Sequence, residues 1–387
     1  MTPSAKNAFM SFSKILSHWR SFDFTGFLNR ITPSDIERII AGDHLDERDF
    51  LALLSNAADA FLEPLAQKAA ALTRLHFGNS IVLFTPLYIS NYCTNTCRYC
   101  AFAKQHRISR KHLDAAAIRT EAGTIAASGM RHILLLTGEA PGVATLDYIA
   151  EAVAICREHF SSIGIEIYPL PDDGYRRLIG EGVDSLTIYQ EVYDERIYAD
   201  LHGNGPKSDY RFRLDAPERA CGHAIHAVTV GALLGLHAPI TESFFTGLHA
   251  RYLLSRYPGT EISVAHPRLR PFAAEFSECV DVSDRQFVKT LIATRLFLPS
   301  AGITISTRES REFRNNILPL GVTKMSAGVS TAVGGHALDA STAQFEIADT
   351  RSVDEMKEDL LKRGFQPVMQ DWNACLHSQN QPKSRAA

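Results

Sequence analysis

The spacing of apolar residues changes near residue 80. Before that point, apolar residues recur every three or four positions, most clearly over residues 47–74, and this spacing predicts amphipathic helices. After it, short apolar or β-branched runs alternate with helical stretches. Eight runs are predicted to be strands: residues 81–90, 132–138, 163–170, 185–193, 227–236, 261–269, 302–310 and 322–328.

Strands that alternate with helices indicate right-handed βαβ units and a parallel sheet. Eight such units predict an α/β fold, a closed (β/α)8 barrel of the TIM type. An open doubly wound sheet is the alternative, and it is disfavoured because no glycine-rich dinucleotide motif follows the first run. We therefore expect an N-terminal helical extension over residues 1–80, the barrel over 81–330, and a short C-terminal extension over 331–387 that packs on the barrel.

The composition excludes several classes of protein. Of the 387 residues, 45% are hydrophobic and 21% are charged, which is ordinary for a globular chain with a sizeable core. The formal net charge of −3 gives no basic field for nucleic acid. No run reaches the roughly 18 apolar residues of a membrane span, and the N-terminus lacks the pattern of a secretory signal. We expect a cytoplasmic protein that binds neither nucleic acid nor membranes.

The seven cysteines are an odd, sparse set, which argues against a secreted disulfide scaffold. Cys93, Cys97 and Cys100 form a C-x3-C-x2-C pattern after the first predicted strand, at the end of the barrel where active sites are built. Their thiolates can converge on one face of a metal cluster. Because cluster iron is usually held by four cysteines and no fourth lies nearby, a 4Fe-4S cluster here would keep one iron open. A structural zinc site, for which a second ligand pair is missing, and three unconnected core cysteines are the alternatives.

The cysteine triplet, with aromatic Tyr99 before its last member, resembles that of the radical S-adenosylmethionine (SAM) superfamily. Residues 86–93 (PLYISNYC) narrow the resemblance to the aromatic amino-acid lyases. Further matching strings lie at residues 137–139, 189–193, 267–271, 306–310 and 367–372. The last string is most similar to the tyrosine lyases of thiamine biosynthesis. The resemblance spans Trp19 to Leu376, and its one departure is Ala101, where the thiamine enzymes usually have glycine.

This resemblance implies two cofactors, one 4Fe-4S cluster held by the three cysteines and SAM on its open iron. It also implies which residues bind SAM. Glu139, beside Gly138, corresponds to the amine-binding position, Glu166 to the ribose-binding position, and Arg213 to the arginine that pairs with the carboxylate, with Arg211 as a rival. The remaining implied cofactor-binding residues are Tyr99, Gly231 and Gly235.

The resemblance also implies how the substrate is held. Arg308, in the string STRES, corresponds to the arginine that binds the substrate carboxylate, a role that suits its planar pair of donors. Tyr88 and Ser326 resemble the accompanying polar contacts. Gln190 and Glu191, at the end of the fourth predicted strand, are candidates to meet the amine or the phenol.

The implied activity is cleavage of the Cα–Cβ bond of L-tyrosine to 2-iminoacetate and p-cresol, with methionine and 5′-deoxyadenosine, for the thiazole of thiamine. The implied partners are a thiazole synthase and an electron donor such as flavodoxin or ferredoxin. A related lyase acting on tryptophan is the first alternative, because the sequence does not tell a phenol pocket from an indole pocket. An iron–sulfur electron carrier is the non-enzyme alternative, although it needs four protein ligands.

Overall fold

The computed structural model describes residues 11–270, 276 and 278–370. Within them, five α-helices precede the first strand and ten follow it. The helices are α1 Phe12–Arg20, α2 Phe24–Arg30, α3 Pro33–Ala41, α4 Glu47–Leu53, α5 Leu62–Phe77, α6 Ala115–Ala127, α7 Leu146–Cys156, α8 Asp172–Glu181, α9 Glu195–His202, α10 Tyr210–Leu214, α11 Ala216–Cys221, α12 Pro239–Arg256, α13 Asp284–Phe297, α14 Arg311–Ile317 and α15 Val353–Lys362. Short 3-10 helices lie at Asn56–Phe61, Pro206–Ser208 and Leu318–Leu320.

The strands close into a parallel barrel. They are β1 Ser80–Ser90, β2 His132–Thr137, β3 Ser162–Glu166, β4 Ser185–Glu191, β5 Ala227–Ala232, β6 Glu261–Ala265, β7 Gly302–Ile305, β8 Lys324–Ser326 and β9 Gln366–Val368. The sheet runs in order from β2 to β8, then to β1, and β1 also pairs with β2. The (β/α)8 prediction is thereby confirmed. β9 was not predicted; it pairs in parallel with the first residues of β1, outside the ring of eight.

The helices before β1 pack on the outside of the barrel through aromatic side chains. Trp19 of α1 meets Phe244 of α12 edge to face, with ring centroids 4.8 Å apart. Phe50 of α4 stacks on Phe297 of α13 at 4.4 Å. Such pairs add to the burial of large apolar rings, so this layer covers α12 and α13 with apolar surface. None of the helices in the described ranges is long and apolar enough to cross a membrane.

The interior of the barrel is hollow rather than filled. In most TIM barrels, bulky Val, Ile and Leu side chains fill this space. Here most cavity-lining residues of β1 and β2 are apolar, whereas many of those of β3 to β7 are small or carry hydroxyls: Ser162, Gly164, Ser185, Thr187, Thr229, Ser263 and Thr304. His132 of β2 and Glu166 of β3 are exceptions that also line this space. The result is a cavity that opens to solvent, with about 1420 Å³ of empty space when the open solvent at its mouth is included.

Residues 327–350, which we call the strap, cross the mouth of the barrel after β8 without forming a helix or strand, and the structure describes all of them. Glu121, fully buried on α6, accepts hydrogen bonds from the backbone N–H groups of His336, Ala337 and Leu338 at 3.0, 2.7 and 3.0 Å. The His336 Nε2 donates to the Pro86 carbonyl at 3.0 Å. These hydrogen bonds fix the position of the strap, which has no helix or strand to do so.

A buried charge network holds the end of the strap. Asp349 pairs with Arg314 of α14 and with Arg351, whose Nε lies 3.0 Å from Asp349 Oδ1, and all three side chains are buried. Burial opposes ionisation of Asp349, but the hydrogen bonds from Arg351 and the charge of Arg314 lower its pKa below the usual value. Arg314 also donates to the Ser326 carbonyl, which links the strap to β8.

We predict that Asp349→Ala lowers the free energy of unfolding by about 3–5 kcal/mol, because it leaves the buried Arg314 guanidinium without a carboxylate and leaves Arg351 with Asp359 alone. Urea denaturation of the full chain measures this change. The matched control is Asp354→Ala, which removes an exposed carboxylate paired with Lys357 and should cost less than about 1 kcal/mol. Equal losses in the two variants would contradict this account of the network.

Candidate active site

The three cysteines lie on the loop between β1 and α6, at the carboxyl ends of the strands. Neighbouring loops hold it through backbone bonds: the Thr94 N–H donates to the Glu139 carbonyl at 2.9 Å and the Arg98 N–H to the Leu201 carbonyl at 3.0 Å. These bonds tie the cysteine loop to the end of β2 and to α9. The loop is therefore positioned by the barrel rather than by its own sequence.

Cys97 is buried beside Val192, Leu201, Leu233 and Leu236, and Cys93 and Cys100 are partly buried. Burial raises the pKa of the Cys97 thiol to about 12 and also raises that of Cys100. Without metal these thiols are neutral, and metal binding would deprotonate them. Within residues 11–270, 276 and 278–370, no three His, Cys, Asp or Glu side chains converge on a single ion. Three thiols on one loop suit a cluster, whose thiolates bind separate irons.

Gly138 is required where β2 passes beneath the cysteine loop. A Cβ at this position would lie 2.3 Å from the carbonyl oxygen of Tyr92 and 3.2 Å from Cys93 Cβ. Only glycine allows the two backbones to approach this closely. A role for Gly138 in binding SAM stays a prediction.

Glu139 is buried and points toward the cysteine loop. Its Oε2 accepts a hydrogen bond from Asn95 Nδ2 at 2.8 Å, and the same nitrogen lies 3.7 Å from Cys93 Sγ. The Asn95 amide oxygen accepts from the Lys207 backbone N–H at 2.8 Å. Asn95 therefore orients the predicted amine-binding carboxylate, and sequence reasoning missed it although it lies between the first two cysteines.

A buried group of charges lies on the other side of the loop. Lys207 Nζ is 2.7 Å from Glu191 Oε1, and Arg213 Nη2 is 3.5 Å from the same oxygen. Burial opposes the charge of Glu191, but Lys207 and Arg213 lower its pKa. Glu191 has a φ of +71°, a strained conformation for a residue with a side chain. Two cations share one carboxylate, which leaves positive charge for an anionic ligand; Lys207 was not among the predicted residues.

Tyr99 is held by a neutral histidine. Its hydroxyl lies 2.9 Å from His202 Nε2, and His202 Nδ1 lies 2.6 Å from the Tyr198 carbonyl. Because a carbonyl only accepts, Nδ1 carries the proton and Nε2 accepts from Tyr99. Burial lowers the pKa of His202 to about 2, so this arrangement persists at neutral pH.

The cavity inside the barrel brings together three predicted substrate residues, Tyr88, Arg308 and Ser326, and it is also lined by Glu166, the predicted ribose-binding residue. The Arg308 guanidinium carbon lies 3.5 Å from the centroid of the Phe345 ring, and its Nη1 lies 3.4 Å from the Arg268 carbonyl. Burial and the nearby charge of Glu191, opposed by Arg308, together raise the pKa of Glu166 to about 7. A carboxylate and a guanidinium thus face the cavity together.

For four predicted site residues, the structure shows either a local structural role or, among the described residues, no side-chain hydrogen-bond partner. Ser326 lines the cavity, but its hydroxyl already accepts from the Thr307 N–H at 3.1 Å. Gln190 is buried and its side-chain amide has no hydrogen-bond partner in the part of the chain that the structure describes. At Gly231 a Cβ would lie 2.2 Å from the Ala265 carbonyl oxygen, and Gly235 has a φ of +111°, so backbone geometry alone accounts for both glycines.

The strap contributes two residues that the sequence reasoning missed. Phe345 covers Arg308, and Gln344 Oε1 accepts from the Tyr88 hydroxyl at 2.8 Å. No motif marks either residue, since both lie in an irregular segment far from the cysteines in sequence. Only their contacts in the folded structure indicate that these two residues belong to the site.

Comparison with known proteins gives two matching family models. Residues 87–240 match the radical SAM superfamily, and residues 265–366 match the Biotin and Thiamin Synthesis associated domain. Among solved structures, the FeFe-hydrogenase maturase HydG from Carboxydothermus hydrogenoformans superposes with a TM-score of 0.87 at 31% identity, covering 94% of this chain and 86% of that one.

Two curated relatives match over nearly their full length. The 2-iminoacetate synthase of Salmonella typhimurium is 37% identical over 94% of this chain and 98% of its own. The 2-iminoacetate synthase of Escherichia coli K12 is 38% identical over 92% and 96%. Identity at this level over the whole length confirms the resemblance found in the cysteine loop and the strand-end strings. The chain belongs to the 2-iminoacetate synthase family of radical SAM enzymes.

Proposed function

We propose that this chain cleaves the Cα–Cβ bond of L-tyrosine to give 2-iminoacetate and p-cresol, for the thiazole of thiamine. It is a radical SAM lyase, and its cofactors are one 4Fe-4S cluster and SAM. One observation supports an amino-acid substrate: a partly buried arginine, Arg308, faces a deep cavity directly beside the cysteine loop. A free amino acid brings a carboxylate that such an arginine can pair with.

The cysteine loop is where the cofactors would bind. Cys93, Cys97 and Cys100 would hold the cluster. When bound, the cluster and SAM supply the electron and the 5′-deoxyadenosyl radical that begin the reaction. The buried apolar side chains around Cys97 keep water from this region.

The charged residues around the loop suit the polar ends of SAM. Glu139, oriented by Asn95, would accept from the ammonium group, and Glu166 would accept from the ribose hydroxyls. The positive charge left over by Lys207 and Arg213 would meet the SAM carboxylate. Tyr99, Gly138, Gly231 and Gly235 remain proposed neighbours of SAM.

The tyrosine substrate would lie in the cavity with its carboxylate on Arg308. Phe345 stacks on that guanidinium and restricts its movement, so the donors are oriented before the substrate arrives. Tyr88, Gln190, Glu191 and Ser326 stay proposed polar neighbours. Deeper in the cavity, hydroxyls on paired strands offer partners for a phenol: Thr187, Thr229 and Ser263 are register neighbours on β4, β5 and β6.

The partners and compartment belong to the same proposal. Because an imine hydrolyses readily, direct transfer of 2-iminoacetate to a thiazole synthase is chemically sensible. The cluster also needs an electron donor such as flavodoxin or ferredoxin. A reducing cytoplasm suits the free cysteines, none of which is paired among the described residues.

Anaerobic incubation of the reconstituted full chain with tyrosine, SAM and a reductant tests the function directly. We expect p-cresol, 5′-deoxyadenosine and glyoxylate, the hydrolysis product of 2-iminoacetate. Tryptophan in place of tyrosine is the matched comparison. Products derived from tryptophan, without p-cresol from tyrosine, would assign the chain to the other aromatic substrate.

We predict that Cys97→Ala abolishes cleavage of SAM, because two thiolates cannot hold the cluster. Iron analysis of reconstituted protein should fall from about four irons per chain to a small fraction of that. Cys156→Ala is the control, since Cys156 is buried on α7, away from the loop, and its loss should leave iron content and SAM cleavage unchanged. Full activity in Cys97→Ala would remove the cluster from this loop.

We predict that Arg308→Ala reduces p-cresol formation more than Arg308→Lys. Lysine keeps a charge without the planar pair of donors, whereas alanine leaves the substrate carboxylate unpaired in a closed site. Tyrosine-independent SAM cleavage should persist near the wild-type level in both variants. Arg311→Ala serves as the control, because Arg311 is exposed and pairs with Asp359. Normal p-cresol formation by Arg308→Ala would place the carboxylate contact elsewhere.

A further inference from the structure

Gln344 bridges the substrate cavity and the cysteine loop. Its side-chain oxygen accepts from the Tyr88 hydroxyl at 2.8 Å, and its side-chain nitrogen lies 3.9 Å from Cys100 Sγ. Tyr88 lines the cavity with Arg308. One amide therefore contacts a proposed cluster ligand at one end and a proposed substrate contact at the other.

Charge fixes the direction in which this amide points. If it were flipped, its oxygen would face a metal-bound thiolate, and two electron-rich atoms would repel. The nitrogen therefore faces the sulfur, and Tyr88 donates to the oxygen. Burial raises the pKa of Tyr88, so its hydroxyl keeps the proton that it donates.

The strap leaves Gln344 little freedom to turn away. The Gln344 N–H donates to the Thr331 carbonyl at 3.0 Å, and the Thr331 hydroxyl donates to the Phe345 carbonyl at 2.8 Å. The neighbouring Phe345 lies against Arg308. The backbone on both sides of the amide is thus tied, and the contacts to Glu121 hold the strap further along.

We propose that Gln344 is a positioning residue that donates an N–H to the Cys100 thiolate and holds Tyr88 toward the substrate. This inference rests on the proposed function. A hydrogen bond to a cluster thiolate stabilises the more negative, reduced cluster and so raises its reduction potential. Loss of the amide should make the cluster harder to reduce and should free the Tyr88 hydroxyl.

The experiment compares three variants of the reconstituted full chain with the wild type. Gln344→Met keeps the side-chain length without either polar group, Tyr88→Phe removes only the hydroxyl, and Thr342→Val removes a strap contact to the Ser109 N–H that touches neither residue. The cluster potential is measured by an anaerobic titration followed by electron paramagnetic resonance, without tyrosine. Tyrosine affinity is measured by equilibrium binding.

In Gln344→Met the ratio of reduced to oxidised cluster at a fixed potential should fall about fivefold, the effect of one hydrogen bond. At 59 mV per tenfold this is a shift of about 40 mV to lower potential. Tyrosine affinity should fall about fivefold as well. Tyr88→Phe should lose tyrosine affinity and keep the wild-type potential, and Thr342→Val should keep both.

A wild-type potential in Gln344→Met would overturn the proposal, as would an equal shift in Thr342→Val, which would assign the effect to a loosened strap. The proposed function can fail separately. If the wild type makes no p-cresol but Gln344→Met still lowers the potential, the contact to Cys100 stands and the tyrosine chemistry fails. If p-cresol is made and the potential is unchanged, the reverse holds.

Discussion

Parallel closure of the eight strands is the constraint on which the rest of this structure depends. It brings the carboxyl ends of all strands to one rim, so residues from β1, β2, β3, β4 and β7 meet although they are far apart in the chain. The cysteine loop follows β1, Glu139 follows β2, and Arg308 follows β7. Without the pairing of β8 with β1, the thiols and the guanidinium would lie toward opposite ends of an open sheet.

The closed barrel also has a hollow interior, which gives the site its depth. The hydroxyl-bearing residues of β4, β5 and β6 leave space that branched apolar residues would fill, so the rim opens into a cavity instead of a packed core. The barrel therefore has less apolar packing in its interior than a filled barrel. Apolar side chains pack on its outer surface instead, where Trp19 and Phe50 contact α12 and α13. Room for a substrate and stability of the barrel are thus provided by different layers of the fold.

Sequence reasoning predicted the parts of the site that local patterns encode. The spacing of Cys93, Cys97 and Cys100 is a local signal, as is the period that predicted the barrel strands, and Arg308 lies in a string that resembles known lyases. The division into residues 1–80, 81–330 and 331–387 stays a prediction, and so do the roles assigned to individual residues. Part of the C-terminal string at residues 367–372 lies outside the described residues.

The residues that were missed share a physical cause. Lys207 lies in a short 3-10 helix and Gln344 in the irregular strap. The position of each is set by contacts outside its own element, such as the hydrogen bond from the Lys207 N–H to Asn95 and that from the Tyr88 hydroxyl to Gln344.

The strap shows why such contacts leave no trace in sequence periodicity. Three backbone N–H groups of the strap donate to the one buried carboxylate of Glu121, which lies more than 200 residues earlier in the chain. From the sequence alone, a glutamate on a helix is expected to lie on the solvated face of that helix. Only when the barrel brings α6 beneath the strap does that carboxylate become the anchor of a segment that reaches both Arg308 and Cys100. The structure therefore ties the proposed substrate pocket to the proposed cluster ligand through a segment that neither local motif contains.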